Sequence, residues 1–118
     1  MRVVIADDSR VERWRVRSIV ERAGHEVVFE AGDGEEALAA IRRLRPDLAI
    51  LDVIMPRMTG DAVAIALADD ERPALIFASK NSQPALKEIV AKTGASLCVK
   101  PYQEQTLIAH LAAVARRG

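Results

Sequence analysis

The sequence alternates five times between a short aliphatic run and a longer segment, most of which have clear helical periodicity. The aliphatic runs are rich in Val, Ile, Leu and Ala, and they lie at 3–6, 26–31, 47–51, 74–78 and 96–99. Nearly continuous apolar runs of this length are typical of strands that are buried on both faces of a parallel sheet. Because parallel strands need a crossover between them, the alternation predicts a sheet whose strands are joined by helices.

Four of the intervening segments carry an apolar stripe at helical spacing, and they span 9–23, 34–44, 83–93 and 103–117. In the second of these, Asp33 is placed to cap the helix. Glu36 follows three positions later, which is the spacing of a capping box. In the third, Ser82 is the predicted cap. These segments are therefore predicted to be amphipathic helices.

The remaining segment, 61–68, supports two interpretations. Its apolar residues Val63, Ile65 and Leu67 alternate, which by itself favours a strand. Its high alanine content favours a helix. We predict a helix, because the parallel strands on either side of the segment require a crossover.

Strands and helices that alternate five times predict an α/β fold with a doubly wound five-stranded parallel sheet and helices on both faces. The strand order 2-1-3-4-5 is favoured among the common arrangements. In such sheets a ligand binds beyond the carboxyl ends of the strands, where the strand order reverses. The length predicts a single domain over residues 1–118.

Composition excludes several classes of function. Seventeen basic and seventeen acidic residues cancel, so no excess of positive charge predicts nucleic-acid binding. No apolar stretch approaches the ~20 residues that span a bilayer, so no membrane association is predicted. The single cysteine cannot form an internal disulfide, which fits a cytoplasmic location, and with two isolated histidines it provides no zinc site.

Charged and hydroxyl side chains follow the predicted strands at one edge of the sheet. Asp7 and Asp8 follow the first strand, Asp52 follows the third, Ser79 the fourth and Lys100 the fifth. Since the first and third strands are neighbours at the reversal point, three carboxylates should share one cleft with an ammonium and a hydroxyl. Carboxylates this close repel one another. A hard divalent cation with oxygen ligands, Mg²⁺, is therefore expected among them.

This set of groups suits phosphoryl transfer onto a carboxylate. Aspartate is a known covalent nucleophile toward phosphorus. The transfer mainly requires that charge be neutralised on the equatorial oxygens of the moving group. We therefore predict that Asp52 is the phosphoacceptor, with Mg²⁺, Lys100 and the Ser79 hydroxyl each facing one oxygen.

Four segments occur in a diagnostic order: "VVIADDS", "LAILDVIMPRMTG", "GAS" and "VKP". Together they resemble the receiver domain of two-component response regulators, and the match covers essentially the whole chain. The resemblance implies a flavodoxin-like (βα)5 fold and phosphorylation of Asp52. It also implies that Asp8 is a direct Mg²⁺ ligand, with Asp7 assisting. The Ile54 carbonyl would be a further ligand, and the Lys100-Pro101 peptide bond would be cis.

The resemblance also implies partners. A sensor histidine kinase or a phosphotransfer protein would supply the phosphoryl group from a phosphohistidine. A downstream effector domain or protein would read the phosphorylated state. A homodimer through the fourth helix, fifth strand and fifth helix is possible for such a domain. The chain would catalyse its own phosphorylation and dephosphorylation without being a turnover enzyme.

The chain departs from the receiver pattern at two strand ends. Counting back from Gly94 assigns the hydroxyl position of the fourth strand to Ser79, whereas counting forward from the preceding proline assigns it to Ala78. We favour Ser79, because an alanine cannot bond a phosphoryl oxygen. Lys80 then follows where similar domains have a small residue. On the fifth strand Leu97 stands where an aromatic residue usually reports phosphorylation, and Tyr102 is expected to be a core aromatic.

The first helix has a second feature of interest. Trp14 lies about 200° around the helix from the apolar stripe, so we expect it to be exposed and a candidate anchor for a partner. Kinases dock on this helix in similar domains. The arginines of the helix are expected to form a mostly solvated face, and they are Arg10, Arg13, Arg15 and Arg17.

Two other functions compete with a phosphorylation switch. A degenerate receiver would bind its partner constitutively, and the unusual residues of the fourth and fifth strands keep this alternative open. A phosphohydrolase with an aspartyl intermediate, similar to haloacid dehalogenases, would require Asp-x-Asp after the first strand and a cap insertion. Here the first two acids are adjacent and no insertion is long enough to form a cap.

Overall fold

The structure of the protein is a computed structural model that describes residues 1–80 and 84–117. Within these residues strands and helices alternate in the order β1 (Arg2–Ala6), α1 (Arg10–Arg22), β2 (Glu26–Ala31), α2 (Gly34–Leu44), β3 (Leu48–Asp52), α3 (Gly60–Ala66), β4 (Ala74–Ser79), α4 (Pro84–Thr93), β5 (Ser96–Val99) and α5 (Glu104–Arg117). No helix in the described ranges has both the length and the apolar character that a bilayer span requires.

The strands form one parallel sheet in the order β2-β1-β3-β4-β5, which confirms the predicted order. Strands β1 and β3 pair in register, with Ile5 opposite Ile50 and Ala6 opposite Leu51. At the end of β3, Asp52 lies opposite Ala78 of β4. The strand ends that carry the predicted site therefore lie at the same edge of the sheet.

Successive strand residues enter two different cores, because side chains alternate across a strand. One core lies between the sheet and helices α2, α3 and α4, and its helical members include Ala37, Ile41, Val63 and Leu86. The other lies between the sheet and helices α1 and α5, and its helical members include Val16, Ile19, Leu107 and Leu111. Each fully buried aliphatic side chain contributes about 1.5–3 kcal/mol. Burial on both faces explains the continuous apolar runs of the sequence.

The ambiguous segment is a helix, as predicted, although α3 ends at Ala66 and is shorter than 61–68. Val63 and Ala64 are buried on its inner face, and Leu67 is buried just after its last turn. Ile65, which completed the alternating pattern, is 58% exposed. The alternation of Val63, Ile65 and Leu67 was therefore coincidental, and only the first and last of these residues face the core.

The predicted cap of α2 is present with one difference from a capping box. Asp33 Oδ1 accepts a hydrogen bond from the Glu36 backbone N–H at 2.9 Å. The Glu36 carboxylate accepts in return from the backbone N–H of Gly32 at 3.0 Å, one residue earlier than the cap itself. The first of these bonds satisfies an amide that the first helical turn leaves unpaired. The predicted cap of α4, Ser82, lies outside the described residues.

Tyr102 is a buried core aromatic, as expected. It packs in the α1/α5 core, and the Arg15 guanidinium carbon lies 4.9 Å from the centroid of its ring. Its hydroxyl is buried and has no hydrogen-bond partner among the described residues. Burial raises the pKa of Tyr102 to about 12. An unpaired buried hydroxyl loses its hydration without compensation, which costs stability.

We expect Tyr102→Phe to raise the free energy of unfolding by about 1 kcal/mol, because it removes an unpaired buried hydroxyl and keeps the ring. Urea denaturation measures the change. The control Tyr102→Leu also removes the hydroxyl but leaves ring volume unfilled, so it should lower stability. Loss of stability in Tyr102→Phe would show that the hydroxyl has a partner.

Candidate functional site

Neighbouring strands bring three carboxylates together at the edge of the sheet. Asp7 and Asp8 directly follow β1, and Asp52 is the last residue of β3. One carboxylate oxygen of each of these residues lies within 4.8 Å of the others. Asp7 is buried, Asp52 is half-buried and Asp8 is exposed. The cluster therefore runs from the interior of the sheet edge out to solvent.

Lys100 reaches the cluster from the edge strand β5, beyond β4. It follows β5, and its peptide bond to Pro101 is cis. Its Nζ lies 2.9 Å from Asp7 Oδ2 and 3.4 Å from Asp52 Oδ2. Its backbone N–H donates to the Ser79 carbonyl at 2.6 Å, which fixes the start of the side chain beside β4. One ammonium thus bridges the carboxylates of β1 and β3.

The charges of the cluster perturb one another in opposite directions. Burial raises the pKa of Asp52, the Lys100 ammonium lowers it and the Asp7 carboxylate raises it, with a net increase. Burial by itself would lower the pKa of Lys100, but its hydrogen bond to Asp7 and the charges of Asp52 and Asp7 raise it overall. Lys100 therefore stays charged, whereas the folded protein disfavours the ionised form of Asp52.

The two adjacent acids have different environments. Asp7 Oδ1 accepts from the backbone N–H of Ser9 at 2.9 Å while Oδ2 faces Lys100. Arg13 donates to the Asp7 carbonyl at 2.6 Å, so both the backbone and the side chain of Asp7 are held. The exposed carboxylate of Asp8 has no hydrogen-bond partner among the residues that the structure describes. Asp8 is therefore the acid whose oxygens are available to a ligand.

The site fits a hard divalent cation. Three carboxylates face one ammonium, so the cluster keeps an excess of negative charge, and all its potential ligand atoms are oxygens. Oxygen donors of this kind suit Mg²⁺. The Ile54 backbone also lowers the pKa of Asp52, which places the loop after β3 near the same carboxylate.

A cavity of about 730 Å³ opens over the cluster. Its lining consists of Asp7, Asp8, Ser9, Glu12, Arg15, Asp52, Lys80, Lys100, Pro101 and Tyr102. The structure thus brings four of the predicted site residues into one cavity. Ser79 and Ile54 are outside this lining among the described residues. Lys80, which follows β4, adds a second lysine to the rim.

Ser79 and Ala78 occupy different positions at the end of β4. Ala78 packs in the α1/α5 core with Cys98 and Tyr102. Ser79, the last residue of β4, is buried at the sheet edge and pairs in the sheet with Val99, the residue before Lys100. Because side chains alternate across a strand, the side chains of Ala78 and Ser79 leave the sheet on opposite faces.

Arg13 and Arg15 make contacts near the site that the sequence did not predict. The expected solvated face is wrong for both, because each is half-buried and tied to the site region. Arg13 holds the Asp7 carbonyl, and Arg15 donates to the Tyr102 carbonyl at 2.7 Å. Glu12 and Arg15 are three residues apart on α1, a spacing that puts them on one helix face, and both line the cavity. By contrast, Trp14 is 70% exposed, as predicted.

Comparison with known proteins identifies the family. The sequence model of the response regulator receiver domain matches residues 3–112. The chain belongs to this receiver domain family. It is 34% identical to the chemotaxis protein CheY of Thermotoga maritima over 117 residues, 98% of each chain. The recognition made from the sequence motifs is therefore confirmed.

Solved structures agree with this assignment. The receiver domain of NarL from Mycobacterium tuberculosis superposes with a TM-score of 0.87 at 32% identity, over 98% of this chain and 95% of that one. CheY in the CheX–CheY–BeF3–Mg²⁺ complex from Borrelia burgdorferi superposes with a TM-score of 0.88 at 25% identity, over 98% and 89%. The predicted receiver fold is confirmed.

Membership defines the general function. Receiver domains are modules of two-component systems that signal through phosphorylation, bind Mg²⁺ at an acidic pocket and interact with kinases or phosphotransfer proteins and with effectors. They are signalling proteins, not turnover enzymes. A receiver homologous to CheY is thus supported, and neither a constitutive binding module nor a phosphohydrolase is favoured.

We expect Asp52→Asn to raise the free energy of unfolding by up to about 1 kcal/mol near pH 7 in Mg²⁺-free buffer. The folded-state pKa of Asp52 is raised, so the folded protein disfavours the ionised carboxylate. This penalty develops as the pH rises above the unfolded value of about 3.9 and is complete above the folded value. The stabilisation should therefore shrink as the pH falls toward about 4.

Urea denaturation across this pH range measures the effect. Asp70→Asn, at an exposed aspartate distant from the cluster, is the control and should change stability by less than about 0.5 kcal/mol. A stabilisation of Asp52→Asn that grows on acidification would contradict the raised pKa.

Proposed function

We propose that this receiver domain accepts a phosphoryl group on the carboxylate of Asp52 from the phosphohistidine of a sensor histidine kinase or a phosphotransfer protein. The observation that carries the proposal is the contact of Asp52 with Lys100, 3.4 Å from Oδ2 to Nζ, within a cluster of acids beneath an open cavity. A carboxylate that is already paired with a fixed cation and faces solvent can receive a phosphoryl donor.

The transfer is a displacement at phosphorus. An Asp52 carboxylate oxygen forms a new P–O bond as the P–N bond to the donor imidazole breaks, and the electron pair of that bond remains on the imidazole nitrogen. The product is an acyl phosphate. Because the transition state is loose, the protein contributes mainly by positioning and by neutralising charge on the equatorial oxygens. Lys100 and the Ser79 hydroxyl are the proposed partners of two of these oxygens.

The third oxygen would face a Mg²⁺ ion held by Asp8 directly, with Asp7 assisting and with Asp52 and the Ile54 carbonyl as further ligands. When bound, Mg²⁺ supplies the positive charge that offsets the acid cluster and the incoming phosphoryl group. The all-oxygen cluster and the Mg²⁺ present with the similar CheY of Borrelia burgdorferi support this assignment.

Phosphorylation would change the role of Lys100. Before transfer its ammonium is shared between Asp7 and Asp52. An acyl phosphate carries more negative charge than a carboxylate and presents additional acceptor oxygens. Lys100 would then pair with a phosphoryl oxygen. This change in pairing would shift nearby surface or backbone groups, and a partner could bind to the shifted surface.

Exposed apolar residues suggest where partners bind. Val11 and Trp14 are exposed on α1 beside the cavity, which suits docking of the kinase or phosphotransfer protein. Val99 and Ile108 are exposed on β5 and α5, where an effector domain or protein, or a second copy in a homodimer, could bind.

We further propose that residues 1–118 act as a single cytoplasmic receiver domain without turnover activity. Direct binding to nucleic acid or membrane is not expected.

Incubation with Mg²⁺ and a small phosphodonor such as acetyl phosphate should add one phosphoryl group, measured by intact-protein mass spectrometry. The adduct should be absent in Asp52→Ala, because the nucleophile is removed, and absent when Mg²⁺ is chelated. Asp61→Asn is a matched control, since Asp61 is a carboxylate on α3 outside the cavity lining, and it should be phosphorylated normally.

Each alternative function has its own outcome in this experiment. Continuous release of phosphate from unrelated phosphate esters would support a phosphohydrolase. A complete lack of adduct in the unsubstituted protein would support a constitutive binding module. A stable adduct in Asp52→Ala would assign the acceptor to another residue and overturn the proposal.

We expect Ser79→Ala to slow phosphorylation of Asp52 by about 10- to 100-fold, because one donor to the equatorial oxygens is lost. The control Ala78→Gly alters the neighbouring residue of β4 without removing a hydroxyl, so the rate should change by less than about threefold. The rate is measured from the time course of the adduct. If Ala78→Gly slows the reaction and Ser79→Ala does not, Ala78 holds the switch position.

A further inference from the structure

Gly34, the first residue of α2, is in unusually close contact with the loop that follows Asp52. A Cβ atom built on Gly34 would lie 1.9 Å from the Met58 carbonyl oxygen and 2.5 Å from its carbonyl carbon. Real Cβ atoms essentially never come within 3.0 Å of another heavy atom, so no side chain fits here without displacement. The two nearest atoms are backbone and the third, Met58 Cβ at 2.6 Å, is bonded directly to the backbone, so the displacement must move the loop or the helix.

The loop over residues 53–59 is also held at its other end. The Gly60 backbone N–H donates to the Val53 carbonyl at 2.9 Å, and a Cβ on Gly60 would lie 2.3 Å from the Asp52 carbonyl oxygen. Between these two contacts lies Ile54, whose backbone lies near the Asp52 carboxylate and lowers its pKa. A shift of the loop at Met58 would therefore be transmitted to the Ile54 backbone beside Asp52.

Two polar contacts add to the steric one. The Gly34 backbone N–H donates to the Pro56 carbonyl at 3.4 Å. Asp33, which caps α2 with one oxygen, places the other 3.7 Å from Nε of Arg57. Arg57 has a left-handed backbone, with φ of 67°, so its conformation needs external support. Residues 33 and 34 thus contact three consecutive loop residues.

We propose that Gly34 is a positioning residue for phosphorylation: by lacking a side chain, it lets the start of α2 hold loop 53–59 in the position that the Ile54 amide and carbonyl need at Asp52. The inference rests on the proposed function of Asp52 and Mg²⁺. Gly34 does not touch the reacting groups, and it acts through the loop. Misplacement of a reacting group by about 1 Å can cost on the order of 100-fold in rate.

The variant Gly34→Ala tests the inference through Mg²⁺ binding, measured in the absence of any phosphodonor. The amide chemical shifts of 15N-labelled protein are followed during titration with Mg²⁺. We expect the Ile54 amide to shift in the metal-free variant and the Mg²⁺ dissociation constant to rise about tenfold. Phosphorylation by acetyl phosphate at saturating Mg²⁺ should still be slower by about tenfold or more.

Two other glycines provide matched controls. A Cβ on Gly32 would meet only flexible side-chain atoms at 3.5 and 3.6 Å, so Gly32→Ala should leave Mg²⁺ affinity within about twofold of the parent value. Gly24 has a φ of 91° and open space around it, so Gly24→Ala should lose stability through backbone strain without a change in Mg²⁺ affinity. General destabilisation is thereby separated from displacement of the loop.

Arg57→Gln tests the same attachment without a steric clash and serves if Gly34→Ala does not fold. Removal of a positive charge near the acids would by itself strengthen Mg²⁺ binding. Loosening of the loop predicts the opposite, a dissociation constant raised by about twofold. Tighter or unchanged Mg²⁺ binding in Arg57→Gln would therefore overturn the proposal. So would unchanged Mg²⁺ affinity in a folded Gly34→Ala.

Failure of the proposed function would look different. If the unsubstituted protein shows no Mg²⁺-dependent shifts at Asp8 or Ile54 and no phosphorylation, the assignment of the site itself is wrong. If it binds Mg²⁺ and is phosphorylated, and Gly34→Ala behaves identically, only the positioning role is excluded.

Discussion

The contact of one ammonium with two carboxylates is the interaction on which the rest of the site depends. Unit charges about 4 Å apart near a protein surface interact by roughly 4 kcal/mol, and the cost of removing the charges from water offsets much of this gain. Three acids with carboxylate oxygens within 4.8 Å of one another repel, and a nearby cation lowers that repulsion. Lys100 provides part of that compensation, between Asp7 and Asp52. The proposed Mg²⁺ would offset the excess negative charge that remains.

The sheet is the part of the fold that makes this contact possible. Asp7 follows β1, Asp52 ends β3 and Lys100 follows β5, so the cluster depends on the register of three strands. A shift of one residue in any of them would turn the side chain to the opposite face. The two aliphatic cores prevent such a shift, because it would also expose the buried residues of the strand. Packing far from the site therefore determines the distances within it.

The chain follows the receiver pattern around Asp52 more closely than at the residues that transmit phosphorylation to the surface. Leu97 stands at the usual aromatic position and packs half-buried against the core formed with α2, α3 and α4. Tyr102 is buried in the opposite core beneath Arg15. Neither residue offers an exposed ring at the position that similar domains use. The surface that changes on phosphorylation is therefore expected to differ from the usual one, while the chemistry proposed for Asp52 is that of the family.

The sequence by itself determined the strand order and the gathering of Asp7, Asp8, Asp52 and Lys100 at one edge, because these follow from periodicity and from the rules of parallel sheets. It also located Ser79 at the end of β4 and Ile54 in the loop after β3. Neither residue lines the cavity in the part of the chain that the structure describes.

Only the tertiary structure decided the partners of individual side chains. Lys100 lies nearer to Asp7 than to Asp52, across 93 positions of sequence. Arg13 and Arg15 are tied to the site region, and Gly34 contacts Met58 without room for a side chain. Such contacts depend on how elements distant in sequence pack against one another. A local pattern contains the period of a helix or a strand, but not the direction or distance of its neighbours.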